Sequence, residues 1–127
     1  GTSHTAQFAL AEMLKAANDG KIDFISDLQP YGEKAKLMKQ IFLKYGFYIV
    51  YTDNAGELAD GFYFTIAYPG MTGEQLMKEF LYYGISAISL SITGSENKDG
   101  LRACVSFVRF DQIPELEIRL QQFKKER

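Results

Sequence analysis

The chain contains one cysteine and one histidine, and each scarcity closes off a chemistry. With Cys104 alone no internal disulfide can form. A lone cysteine in a strand pattern reads as a small buried hydrophobe rather than a reactive thiol. His4, the only imidazole, sits at the chain's start with no nucleophile placed beside it, so no nucleophile–histidine–acid triad is expected, and no second imidazole can share a metal. Cations are not in excess: 14 Lys and Arg stand against 16 Asp and Glu, for a net charge of −2. No predicted face gathers a basic run, so nucleic acid is not an expected partner. No apolar run reaches the ~18 residues of a membrane-spanning helix, and no charged-then-apolar leader is present. A cytoplasmic domain without a membrane partner is the expectation. Gly1–His4 opens without an initiator methionine and reads as a cut or tag-derived end, with His4 exposed.

What is abundant is aromatic. Ten Phe and eight Tyr in 127 residues, within 46% hydrophobic composition, suit one domain burying roughly two-thirds of its unfolded surface. A single domain over residues 1–127 is expected, with linking helices at 5–45 and a sheet-and-helix core at 47–126. Thr5–Asn18 is helical, its stripe carried by Phe8, Ala11, Leu14 and Ala17, and Asp19-Gly20 ends it. A second helical region runs from about Ile22 to Tyr45 and is bent or restarted by Pro30. Beyond that proline Met38, Ile41, Phe42 and Tyr45 face inward, with Glu33, Lys34, Lys36 and Lys39 outward. Short strands follow at Phe47–Tyr51 and Phe62–Tyr68, with a loop at Thr52–Asp60 between them. Thr72, with Gln75 three residues on, caps a helix striped by Leu76, Met77, Phe80, Leu81 and Tyr83. Ile85–Ile92 and Leu101–Phe107 read as strands by their period-two alternation. Asp111 caps a last helix with Ile113, Leu116, Leu120 and Phe123 inward.

The order αα–ββ–α–ββ–α gives an α+β fold. It is an α/β sandwich with a small mixed or antiparallel sheet of about four strands, helices on one face and a long bent helix ahead of it. The other sheet face would be carpeted by Ser89, Ser91, Thr65, Cys104 and Ser106, small weak polars that suit either solvent or a covering partner.

Few constellations carry chemistry. Pro69-Gly70-Met71-Thr72-Gly73 is glycine-rich but sits where a helix cap needs such residues. Glu115 and Glu117 read as solvated charge. Ser95-Glu96-Asn97-Lys98 matches S-x-x-K in a polar loop, where the lysine stays hydrated and protonated. Arg102 is the candidate that remains. At the opening of its strand, after Gly100, it can either pair with a neighbouring acid such as Asp99 or Glu96, or capture a carboxylate or phosphate with its planar fork.

Gly61-Phe62-Tyr63, the capped helix Thr72–Tyr83, Gly84-Ile85-Ser86-Ala87-Ile88-Ser89 and Gly100-Leu101-Arg102-Ala103-Cys104-Val105, in that order and spacing, resemble the C-terminal small domain of class I/II aminotransferases. These are the pyridoxal-phosphate enzymes of the aspartate aminotransferase fold. Thr5-Ala6-Gln7-Phe8 is similar to the segment after the cofactor lysine, so the likeness runs from Thr5 to about Phe123. The resemblance implies that Arg102 binds the α-carboxylate of an amino acid or 2-oxo acid substrate. It further implies a missing large domain that carries pyridoxal 5'-phosphate, its Schiff-base lysine and the phosphate loop, and a homodimeric whole enzyme. This chain alone is then expected to bind no cofactor, to contribute no catalytic residue and to be inactive. The family's proline-glycine pair ahead of this arginine is replaced here by Ser91-Ile92-Thr93-Gly94-Ser95. The alternative is a free-standing amino-acid-sensing regulatory module in which Arg102 clamps an effector carboxylate. The leading helices Thr5–Tyr45 have no place in such a module.

Overall fold

The computed structural model describes residues 1–52, 55, 56, 58, 61–97 and 99–127. Part of the Thr52–Asp60 loop and Lys98 of the S-x-x-K match therefore lie outside the described residues. The described chain holds four α-helices and a four-strand antiparallel sheet, an α+β fold. It divides into two compact units, Gly1–Pro30 and Tyr31–Arg127.

The first unit contains α1 (His4–Asn18) and the opening of α2 (Phe24–Lys44). The predicted apolar stripe of α1 is helical but uncovered: none of its residues is buried, and Phe8 is 74% exposed. α2 starts where the Asp23 carboxylate accepts the Ile25 and Ser26 amides at 2.9 and 3.1 Å, satisfying donors that a first helical turn leaves orphaned. Those amides, Ser26 first, hold the Asp23 carboxyl below its ordinary range. α2 is not restarted at Pro30, which lies inside an unbroken helix.

In the second unit the strands are β1 (Tyr48–Ile49), β2 (Tyr63–Ala67), β3 (Ile88–Ser89) and β4 (Leu101–Cys104), in spatial order β1-β2-β4-β3. The register pairs Phe64 with Ala103 and Ile66 with Leu101, which sets one apolar face. That face joins Met38, Ile41 and Phe42 of α2, Leu76 and Phe80 of α3 (Gly73–Tyr82), and Ile113, Leu120 and Phe123 of α4 (Ile113–Lys125) in a single core. Phe47 sits at its centre, with ring contacts to Phe42, Phe80 and Phe123 at 5.4–5.5 Å. Thr72 closes the predicted capping box on α3, its hydroxyl accepting from Gln75 N while Gln75 Oε1 accepts from Thr72 N.

Five further expectations about the sheet, its turns and Lys34 need correction. The strand expected over Leu101–Phe107 ends at Cys104, and a Val108 N to Val105 O turn swings Phe107 out to 85% exposure. The strand expected over Ile85–Ile92 is two residues long and passes into a 3-10 turn at Leu90–Thr93. Asp111 does not cap α4; it pairs with Arg109 at 3.0 Å in a 3-10 turn ahead of the helix. Lys34 points inward: it is 7% exposed and donates to the Val108 carbonyl at 2.7 Å. The hydroxyl carpet is incomplete, because Ser89, opposite Leu101, faces the core and bonds Ser91 Oγ at 2.9 Å.

Candidate functional site

Arg102 takes its position from the glycine two residues before it. Gly100 has φ +128°, and a Cβ there would lie 2.9 Å from the Ile66 carbonyl oxygen and 2.9 Å from a Val50 methyl. Only glycine allows the chain to pass this close and then turn into β4. Its carbonyl accepts from Leu90 N at 3.0 Å, tying the end of β3 to the start of β4.

From there the pleat fixes direction. Arg102 lies opposite Thr65 of β2 and Ile88 of β3, on the face away from the core, and Tyr63 and Cys104 form the next pair along that face. The Arg102 guanidinium carbon stands 4.4 Å from the centre of the Tyr63 ring. Such a stack contributes about 0.5–2 kcal/mol, the upper end when water is excluded. A guanidinium held over a ring face can still offer N–H donors to a planar anion. Neither Asp99 nor Glu96 pairs with Arg102, and among the described residues no carboxylate does. The side chain is half-buried, so the cation is partly desolvated yet approachable.

The neighbours are largely committed to structure. Thr65 Oγ1 accepts from Tyr51 N at 2.9 Å, extending the β1 edge, and Tyr51 shares a 2.7 Å hydrogen bond with Ser95. Ser95 is thereby engaged with an aromatic hydroxyl. Cys104 is half-buried, not buried as the strand pattern suggested. Burial pushes its thiol pKa up, but hydrogen bonds involving Ser106 and the Phe107 backbone, with the nearby Arg102 charge, outweigh it and hold the thiol below its ordinary value. The period-two pattern placed Cys104 on the Arg102 face, yet it could not show that the strand ends at that residue. Glu115 is an exposed partner of Arg119 at 2.9 Å, and Glu117 is bonded to Lys44 at 2.6 Å. His4, at the start of α1, is exposed. No group of three or more His, Cys, Asp or Glu among the described residues could hold a metal ion.

The buried lysine and the glycine-rich turn among the described residues are both engaged in structure. An imine-forming lysine needs a free amine beside room for the pyridine ring. Lys34 is the buried lysine among the described residues, and its Nζ is held by the Val108 carbonyl with the Tyr31 and Phe110 rings 5.0 and 5.9 Å away. The glycine-rich turn before α3 is occupied in capping that helix. No helix among the described residues is long and apolar enough to cross a membrane. No protein-family model and no curated protein matches the chain.

Proposed function

We propose that this chain is the small domain of a pyridoxal-phosphate-dependent aminotransferase and that Arg102 binds the α-carboxylate of its amino acid and 2-oxo acid substrates. The observation that carries this reading is a half-buried guanidinium, stacked on Tyr63 and unpaired with any described acid, at the rim where β4 begins. A bidentate carboxylate on such a fork contributes on the order of 1.5–3 kcal/mol and orients the substrate. Cofactor and catalytic lysine belong to a large domain lying against the Arg102 face, in a cytoplasmic homodimer. The helices layered on the opposite sheet face then serve as scaffold, as in an α/β sandwich.

The test is kinetic, in the whole enzyme. Arg102→Ala raises KM for the amino acid and lowers kcat/KM by about tenfold or more, the loss of one charge-assisted carboxylate contact. Unchanged kinetics remove Arg102 from the site. If this chain by itself binds amino acids in a calorimetric titration, the sensing-module reading replaces the enzyme.

A further inference from the structure

A recess lies at the end of β4, beside the core face of the sheet but reaching Cys104. A cavity of about 320 Å³ opens between the Gly84–Ala87 turn, the end of β4 and the first turns of α4. It has roughly ten times the ~30 Å³ share of a liquid water, at the lower end of the ~300–1,000 Å³ range of small-molecule sites. Its accessible wall is the partly buried Ile85, Ala87 and Leu116, with Met38, Phe42, Phe80 and Ala103 buried directly behind. Met thioethers and ring edges are favourable neighbours for an aromatic guest.

The walls are held apart by bonds that do not depend on a guest. Arg119 reaches from α4 to donate to the Gly84 carbonyl across the rim. Lys34 pins Val108 on the far wall through its 2.7 Å bond to the carbonyl. The recess is therefore preformed, which spares a ligand the cost of ordering it. The rim charges answer one another: Glu115 Oε1 accepts from Arg119 Nε at 2.9 Å. Neither a free cation nor a free anion is favoured there, whereas the carboxylate retains acceptor capacity for a neutral donor. Phe107, exposed at the mouth, adds an apolar lip.

We propose that this cavity binds a small neutral aromatic molecule of one or two fused rings with a single N–H or O–H donor, ring against the Ile85, Ala87 and Leu116 wall and donor toward Glu115. Arg102 does not line it, so the site stands or falls independently of the aminotransferase reading.

Indole is the probe, read by the methionine methyl resonances of the intact chain. Met38 borders the cavity, while Met13, Met71 and Met77 do not and serve as controls. The expected result is a saturable shift of the Met38 methyl with the other three unmoved, and transferred nuclear Overhauser contacts from indole to Met38 and Phe80. Ala87→Leu at the mouth weakens binding at least tenfold while circular dichroism stays that of the wild type. No saturable Met38 shift up to the solubility limit of indole overturns the proposal. So does a parallel shift of all four methyls, or undiminished binding in a folded Ala87→Leu chain. Should Ala87→Leu fail to fold, the Overhauser contacts in the wild type decide: their absence overturns the site.

Discussion

Gly100 and Arg102 work as a pair, one by having no side chain and the other by the reach of its own. The glycine's φ of +128° and the 2.9 Å approach to the Ile66 carbonyl make any side chain there strained and crowded at once. Gly100→Ala is expected to cost about 1–3 kcal/mol from backbone strain alone, read as a lower midpoint in urea unfolding. A midpoint equal to the wild type would mean that the turn into β4 tolerates a Cβ. Two residues past the arginine, Cys104 reports on the same charge. Its thiolate is favoured despite partial burial, through Ser106, Phe107 and Arg102 in that order. The pH midpoint of its alkylation rate should therefore lie below the usual ~8.5 of a free thiol, and Arg102→Gln should move it upward. Both statements follow from a strand start that the alternation of Leu101, Arg102, Ala103 and Cys104 makes readable. Lys34 was unreadable by the same method. Helical periodicity puts it on the polar side of α2, one turn from Tyr31, but Phe110 and the Val108 carbonyl come from a distant stretch that no local pattern links.

Among the elements, α2, α3 and α4 bury most of their stripes, whereas that of α1 is uncovered and Leu81 of α3 is 61% exposed. Met38, Ile41 and Phe42, then Leu76 and Phe80, then Ile113, Leu120 and Phe123 are all buried where three- and four-residue spacing puts them. The strands are less legible. Ile85–Ile92 alternates well enough for eight residues, yet hydrogen bonding to β4 stops after Ser89, where Leu90 N takes the Gly100 carbonyl and the chain coils into a 3-10 turn. Alternation records which residues can pair, not whether a partner strand continues beside them. The helices themselves are cross-tied where Lys44 of α2 meets Glu117 of α4, with Tyr45 donating to the same oxygen. The Lys44 hydrogen bond lowers the Glu117 pKa, and the Glu117 hydrogen bond raises that of Lys44. With the carboxylate pKa depressed on folding, its contribution is in place above the ordinary glutamate range and lost as pH falls through the folded value. With the ammonium pKa raised, the contribution is in place below the ordinary lysine range and lost as pH rises through the folded value. Glu117→Gln should thus lower the unfolding midpoint at neutral pH, and the difference from wild type should vanish in acid. The pair is exposed, so the effect is modest and shrinks with added salt. A difference that persists in acid would assign it to packing instead.

At the scale of the whole molecule, the sequence and the structure agree on an α+β chain whose core lies on one face of a small antiparallel sheet. Among the described residues, the Arg102 cation has the Tyr63 ring beneath it and no carboxylate partner. The proposed enzyme uses that vacancy for substrate, and the charge recognised is the carboxylate itself. The most direct measurement compares, in the whole enzyme, an amino acid with the matched amine that lacks the α-carboxylate. Wild type should prefer the amino acid in kcat/KM by about tenfold or more, the value of one charge-assisted contact. Arg102→Ala should reduce that ratio toward unity, chiefly by losing activity on the amino acid. A ratio that Arg102→Ala leaves intact would mean that the carboxylate is held elsewhere, and the account of this strand as the substrate's anchor would be wrong.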